Sequence, residues 1–144
     1  MGFDWLTQNG AATLVDKVPA TSGYKCLAQV EPGKLLEATQ SIFDRGYFIE
    51  DVTGLDVSEG FAVAYHFDHI EEPGRICLLV TVPHDKPEVP TISGIYSGAD
   101  WHEREAYDLV GIIFDGHRDL RRILLPYDWE GYPLRKDYEV PEFY

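Results

Sequence analysis

Charged and apolar residues alternate densely between residues 101 and 125, where the chain reads WHEREAYDLVGIIFDGHRDLRRILL. If this stretch begins with a helix, Glu103 shares an apolar face with Val110, so its carboxylate points partly toward the core and needs a partner. Arg121 and Arg122 are adjacent in an extended segment and therefore face opposite ways. One of them could bind Glu103 through two parallel hydrogen bonds, while the other faces a neighbouring protein.

The same charges have a second interpretation, which the sequence leaves open. Arg104 and Asp108 could pair on the helix surface, which would contribute only roughly 0.2–0.5 kcal/mol. Asp100, with Glu103 three residues later, could form an ordinary capping box at the start of the helix. Acid–base catalysis by Glu103 or Glu105 would require a cleft and a shifted pKa, which spacing alone does not indicate.

Metal and redox chemistry find little support in the sequence. His66 and His69 lie three residues apart on a predicted strand and should face opposite sides, and the run after His102 has no second histidine four residues on. Cys26 and Cys77 are isolated, so they cannot supply the four thiolates of an iron–sulfur cluster. We expect two reduced core thiols, and no catalytic residue, bound cofactor or metal in this chain.

Composition limits the possible partners and the location. The net charge is -13 with a pI near 4.6, which disfavours binding to nucleic acid or to an anionic membrane surface. The longest apolar run, residues 76–82, is far shorter than the ~18–20 residues of a membrane-spanning helix. The first five residues lack the basic and apolar regions of a signal peptide, so we expect the chain to stay in the cytoplasm.

Hydrophobic periodicity predicts an α+β fold: a single domain with a mixed or antiparallel sheet packed with helices. The predicted elements are a strand at 24–30, a helix at 33–45 ended by Gly46, a hairpin at 47–57 and 61–67, a strand at 75–82 buried on both faces, a helix at 101–110 ended by Gly111, and extended pieces at 112–114 and 121–125 around a turn at 115–117. We place this globular domain at residues 1–125.

The chain after residue 125 differs in character from the domain. It carries six aromatic residues and shows neither helical nor strand periodicity; they are Tyr127, Trp129, Tyr132, Tyr138, Phe143 and Tyr144. We predict that residues 126–144 form an extended arm that binds a partner, with Arg135 and Lys136 pairing with acidic groups. An arm folded back on its own sheet is the alternative. Deleting residues 127–144 is expected to leave the domain folded and abolish co-purification with the partner.

Three collinear stretches carry a resemblance to a known family. The sequence is similar to the signature of the 30 kDa subunit, also called the C subunit, of respiratory complex I, the NADH:quinone oxidoreductase, in the stretches EREAYDLVGI (103–112), FDGHRDLRRIL (114–124) and PLRKDY (133–138). Two positions depart from the family pattern: Arg118 stands where the family usually has proline, and Val110 where it usually has an aromatic residue.

The resemblance implies a hydrophilic, non-catalytic scaffold subunit of a proton-pumping respiratory enzyme. It implies contact with the large quinone-site (49 kDa-type) subunit and neighbouring peripheral-arm subunits, and a peripheral position at the cytoplasmic face of the cell membrane held through the complex. NADH, FMN, iron–sulfur clusters and quinone would be bound by partner subunits. The motif residues expected to serve assembly are Glu103, Arg104, Glu105, Asp108, His117, Arg121, Arg122, Trp129, Leu134, Arg135, Lys136, Asp137 and Tyr138. We interpret His117 as bonding its own turn.

Two other functions remain open on the sequence. The equivalent subunit of a membrane-bound group 4 nickel–iron hydrogenase or of an F420H2 dehydrogenase would share the same module with a different electron donor. A stand-alone domain that binds a small molecule is the more remote alternative.

Overall fold

The computed structural model describes residues 3–8, 10, 12–15, 23–72 and 74–140. In chain order its elements are α1 (Asp4–Thr7), β1 (Ala12–Leu14), β2 (Tyr24–Val30), a 3-10 turn (Pro32–Lys34), α2 (Leu35–Asp44), β3 (Phe48–Val57), β4 (Gly60–Asp68), β5 (Arg75–Val82), β6 (Glu88–Pro90), α3 (Ala99–Val110) and β7 (Ile113–Asp115). None of the helices in the described ranges is long and apolar enough to span a bilayer.

The α2 helix forms where the sequence predicts it. Leu35, Ala38 and Ile42 recur at helical spacing and are buried against the sheet. Pro32 opens the preceding 3-10 turn, and Gly46, with a φ of +83°, follows the helix in the left-handed conformation that favours glycine. The predicted helix at 33–45 is confirmed, with its first turn in the tighter 3-10 form.

The main sheet has five strands in the order β1-β2-β5-β4-β3. All neighbouring pairs are antiparallel except β2 and β5, which are parallel. Alternate residues of β4 and β5, including Tyr65 and Leu78, point to the same face and form the core with α2 and α3. The predicted mixed α+β fold and the central position of the 75–82 strand are therefore confirmed.

A second, two-stranded sheet pairs β6 with β7 in parallel. The 112–114 piece was predicted to be extended, but its partner was not identified, because prolines surround Val89 and suggested irregular structure. The backbone N–H of Thr91 also donates to the carbonyl of Asp115, 2.9 Å away. This small sheet ties the segment before α3 to the segment after it.

The α3 helix packs against β3, the last strand of the main sheet, at a glycine. A Cβ added at Gly54 would lie 3.0 Å from Ile112 Cδ1 and 3.3 Å from Ala106 Cβ, so the absence of a side chain permits the close approach. Gly111 ends the helix with a φ of +84°, as predicted.

The predicted capping box at the start of α3 is wrong. The helix begins at Ala99, before the predicted Asp100 cap, and Gly98 occupies the cap position without a side-chain hydrogen bond. Asp100 therefore lies in the first turn, and Glu103 is free to turn toward the core.

Cys26 and Cys77 are both buried and are not joined in a disulfide. Burial raises the pKa of each thiol to about 11. The prediction that both cysteines are unpaired residues of the core is confirmed.

Candidate functional site

Asp108 organises the segment that follows α3. Its side chain has no exposure to solvent. Oδ2 accepts hydrogen bonds from the backbone N–H groups of Ile123, Leu124 and Leu125 at 3.1, 2.7 and 3.1 Å, and Oδ1 accepts one from Arg122 Nη1 at 2.8 Å. Burial alone would raise the pKa of this carboxyl, but the Arg122 and amide donors outweigh burial and hold the pKa below its usual value. One helical carboxylate thus fixes the course of the chain sixteen residues later.

Arg122 is an internal residue. Its Nη1 also donates to the Asp108 carbonyl at 2.8 Å, its Nη2 donates to the Gly131 carbonyl at 2.7 Å, and its guanidinium lies 4.9 Å from the ring centre of Tyr132. Only 10% of the side chain is exposed, against 57% for Arg121. The predicted pairing of either arginine with Glu103 is wrong, and Arg121 is the one that faces outward.

Glu103 is fully buried and binds a loop instead of an arginine. It accepts hydrogen bonds from the Thr91 hydroxyl and from the Ile92 backbone N–H, the latter at 2.9 Å. The nearest positively chargeable group is His117, 3.9 Å away. Burial raises the pKa of Glu103 to about 7, while Thr91, Ile92 and His117 oppose that rise. The predicted inward orientation of Glu103 is confirmed, but the arginine partner predicted from residue spacing is wrong.

His117 joins the turn after β7 to the start of α3. Its Nδ1 accepts the backbone N–H of Asp119 at 3.1 Å, so the ring proton is assigned to Nε2, which lies 2.7 Å from Asp100 Oδ1. The predicted role of His117 in its own turn is confirmed. Arg104 pairs with Asp100 at 3.2 Å and Asp119 at 3.5 Å. The alternative pairing of Arg104 with Asp108 is therefore wrong.

The described part of the tail returns to α3. The backbone N–H of Leu134 donates to the Leu109 carbonyl at 2.9 Å, and Arg135 Nε donates to the Val110 carbonyl at 2.6 Å. Both carbonyls belong to the last turn of the helix, where no helical donor remains for them. The Lys136 N–H donates to an Asp56 carboxylate oxygen at 2.9 Å.

These contacts favour the alternative in which residues 131–138 fold back on the domain. Arg135 was predicted to pair with an acidic group, but it donates to a backbone carbonyl. Phe143 and Tyr144 lie outside the described residues. The domain boundary at residue 125 and the contact of the arm with a partner stay predictions.

The remaining motif residues lie at or near the surface. Glu105 and Asp137 are exposed, Leu134 is 57% exposed, and Trp129 and Tyr138 are partly buried. The Glu105 side chain forms no hydrogen bond or ion pair with any residue in the described ranges. These five positions form no single cluster of charges.

Exposed apolar side chains that the charge pattern did not reveal lie at the start of α3 and on the segment that follows β7. They are Trp101, Leu124 and Tyr127, which are 58%, 61% and 93% exposed, and we call these three residues the loop surface. The Arg104 guanidinium lies over the Trp101 ring at 4.4 Å, and Asp108 holds the backbone of Leu124. The signal in the sequence was a leucine two residues after the paired arginines and an isolated tyrosine beyond a proline.

The two histidines of the 60s occupy different sites, as predicted. His66 Nδ1 lies 2.5 Å from Asp51 Oδ1, whereas His69 Nε2 lies 3.0 Å from the Arg45 carbonyl oxygen. Within the described ranges, no group of three or more His, Cys, Asp or Glu side chains could hold a metal ion.

Comparison with known proteins identifies the family. Residues 28–144 match the family model described as "Respiratory-chain NADH dehydrogenase, 30 Kd subunit". The C subunit of the NADH-quinone oxidoreductase of Chloroherpeton thalassium is 47% identical over 95 residues, which cover 65% of this chain and 40% of that protein. The corresponding C subunit of Roseiflexus sp. strain RS-1 is 43% identical over 115 residues, which cover 75% of this chain and 66% of that protein. The matched region thus spans less than two thirds of both relatives.

Solved structures share the fold. A trypsin-resistant fragment (1-134) of Nqo5 matches with a TM-score of 0.69 and 27% identity, covering 82% of this chain and 96% of the fragment. A chain of the membrane-bound sulfane sulfur reductase, described as an archaeal respiratory membrane complex, matches with a TM-score of 0.80 and 24% identity, covering 94% and 82%. The second likeness shows the fold alone. The match over residues 28–144 and the sequence identity to the two relatives together show that this chain belongs to the family of the 30 kDa subunit of respiratory-chain NADH dehydrogenase.

Proposed function

We propose that this chain is a non-catalytic scaffold subunit of a proton-pumping NADH:quinone oxidoreductase, and that it binds the large quinone-site subunit of that complex. The observation that carries the proposal is the match of residues 28–144 to the 30 kDa subunit family. The names of the two relatives, each the C subunit of an NADH-quinone oxidoreductase, support it.

The proposal extends to cofactors and location. NADH, FMN, the iron–sulfur clusters and quinone bind to partner subunits, and this chain binds none of them. It lies at the cytoplasmic face of the cell membrane and is held there through its partners. Its net charge of -13 favours contact with the basic surface of another protein over contact with anionic lipid headgroups or nucleic acid.

The loop surface is the part of the molecule best suited to bind the large subunit. The side chains of Asp108 and Arg122 form their hydrogen bonds with groups of this chain and fix the course of the 122–125 backbone. Leu124 is presented on that backbone and Tyr127 follows two residues beyond it, both with most of their area exposed. A rigid loop that offers an aromatic and a leucine side chain loses little conformational entropy when it binds, which is the property of an interface anchor.

A substitution in the loop surface tests the proposal. Leu124→Asp places a charge at a side chain that is 61% exposed and leaves the backbone bond to Asp108 intact. We expect the tagged full-length variant, purified from its host in mild detergent, to retain less than a tenth of the large subunit found with the wild type. Mass spectrometry of the co-purified proteins gives the measurement.

Ile70→Asp is the matched control, because Ile70 is 84% exposed and lies between β4 and β5, outside the loop surface. It should co-purify like the wild type, and both variants should melt within about 2 °C of it. Wild-type levels of partner with Leu124→Asp would contradict the loop surface as the binding site. A wild-type preparation without any partner would contradict the scaffold role and favour a stand-alone binding domain. A large partner with nickel-binding motifs would favour the hydrogenase relative.

The contacts of the tail change how a deletion of residues 127–144 should be interpreted. That deletion removes Leu134 and Arg135, which bond the last carbonyls of α3. We therefore expect it to lower the melting temperature as well as the yield of complex, so that point substitutions give the cleaner test.

A further inference from the structure

One edge of the main sheet, formed by β3, lies beside an open groove. β3 is the last strand in the order β1-β2-β5-β4-β3, so only one of its edges is paired. Among the residues that the structure describes, no backbone group of 48–57 bonds to the backbone of any segment other than β4. The opposite edge of β3 therefore carries backbone N–H and C=O groups that have no backbone partner among the described residues.

The groove, with a volume of about 250 Å³, follows this edge. Four consecutive residues of β3, 51–54, form one wall. Because successive side chains of a strand point to opposite faces, four consecutive lining residues place the groove along the edge of the strand and not over one face. The stretch is roughly 13 Å long at the usual rise of about 3.3 Å per residue.

The other wall is apolar and comes from α3. Ala106 and Leu109 lie on it one turn apart, and Leu134 of the tail closes one end with 57% of its area exposed. The tail does not fill the groove, because its backbone bonds run to the Leu109 carbonyl and to Asp56 beyond the groove. A medium-sized apolar side chain would fit this space.

Two carboxylates and one histidine line the rim of the groove. Asp51, which is paired with His66, lies on the strand side with 44% of its side chain exposed, and the exposed Glu105 lies on the helix side with His102. The Glu105 carboxylate has no hydrogen-bond or ion-pair partner in the described ranges. In a chain with a net charge of -13, these carboxylates favour basic side chains at the rim.

We propose that a partner subunit adds an extended segment to the free edge of β3 as a sixth strand, with alternating apolar and basic side chains. Its backbone would pair with 51–54, its apolar side chains would enter the groove over Ala106 and Leu109, and its basic side chains would meet Asp51 and Glu105. This surface is separate from the loop surface, and the inference rests on the proposed role as a subunit of a larger complex.

Hydrogen exchange on the full chain, alone and in the purified complex, tests the added strand. Amides of 48–57 should exchange at least tenfold more slowly in the complex, whereas those of the central strand, residues 75–82, should change little because both of its edges are already paired. In a complex carrying Glu105→Lys, the amides of 48–57 should lose their added protection from exchange. The amides of 119–130, which include the loop surface, should keep the protection that they have in the wild-type complex. Glu31→Lys, an exposed site beside the far strand β2, is the charge-matched control and should leave both unchanged.

A photo-crosslinking residue at Thr53, on the free edge, identifies the occupant, and one at Thr81, on the central strand, is the control. We expect Thr53 alone to crosslink to a partner segment that alternates apolar and basic residues. Unchanged exchange of 48–57 in a complex that does assemble, or a crosslink from Thr53 to a second copy of this chain, would overturn the added strand and leave the scaffold role standing. A chain that co-purifies with no partner would overturn both.

Discussion

Asp108 carries bonds from four donors on a side chain without solvent exposure: Arg122 and the amides of Ile123, Leu124 and Leu125. A buried carboxylate is stable only when its charge is compensated in this way. The loop that displays Leu124 therefore depends on a charge that no partner would touch.

Asp108→Asn should lower the free energy of unfolding by about 2–4 kcal/mol. The amide removes the negative charge that faces Arg122, and its NH₂ group would face donors that need an acceptor. Urea denaturation of the isolated chain measures the loss. Asp119→Asn is the control, because that carboxylate is 54% exposed, and its midpoint should stay near that of the wild type. Equal midpoints for the two variants would contradict the central role of Asp108.

Glu103 makes stability depend on pH near neutrality. Its pKa is about 7 in the folded chain against 4.5 for an ordinary glutamate, so the folded state binds the proton more tightly than the unfolded state. The stability that protonation contributes is complete below pH ~4.5 and is lost as pH rises through about 7.

Glu103→Gln should remove this dependence, because the amide is neutral throughout. Its oxygen can accept from the Ile92 N–H while its NH₂ group donates to the Thr91 hydroxyl oxygen, so both contacts can persist. Between pH 5 and 8 the unfolding free energy of the wild type should fall relative to the variant by about 2–3 kcal/mol. Denaturation at several pH values gives the difference. A constant difference between the two proteins across that window would be incompatible with the raised pKa.

At the scale of elements, α3 depends on the chain beyond it for its own C-terminal end. Gly111 turns the chain into the left-handed region, and a Cβ there would lie 2.5 Å from Arg135 Nη2 and 2.8 Å from the Tyr132 ring. The Arg135 guanidinium lies 4.5 Å from the Tyr132 ring centre, and Arg135 also bonds the Val110 carbonyl. The helix end and the tail thus form one unit.

Gly111→Ala should destabilise the chain by about 1–3 kcal/mol, because it adds backbone strain at positive φ and displaces the tail from the helix end. Thermal denaturation followed by circular dichroism measures the change. Gly33→Ala is the matched control, since Gly33 has no atom within 4 Å of an added Cβ and no positive φ. Its melting temperature should be unchanged or slightly higher. A Gly111→Ala chain as stable as the control would show that the tail does not depend on this turn.

For the whole molecule, a net charge of -13 on 144 residues makes the folded chain repel itself. Sodium chloride screens that repulsion, so raising it from about 20 to 500 mM should raise the melting temperature by roughly 2–5 °C. Scanning calorimetry at a fixed pH of 8 measures the shift. Potassium chloride should give the same shift, because screening depends on ionic strength. A lower melting temperature in salt would mean that the internal ion pairs outweigh the repulsion.

Hydrophobic periodicity and glycine positions predicted most of the fold. The apolar spacing of α2, the alternation of β4 and the apolar run of β5 each follow from a single segment and its own burial. The helix ends at Gly46 and Gly111 were predictable because only glycine readily adopts a positive φ. The β6–β7 pairing was missed, since three-residue strands beside prolines carry no periodic signal.

The sequence by itself determined which residues of the family signature carry charge, that Glu103 turns inward, and that the chain is one α+β domain of this family. Only the tertiary structure decided the partners: Thr91 and Ile92 for Glu103, Asp108 for Arg122, and the end of α3 for Arg135. Periodicity reports the face on which a side chain lies because the backbone repeat is local. Pairing between elements depends on how loops bring distant segments together, and residue spacing does not contain that geometry.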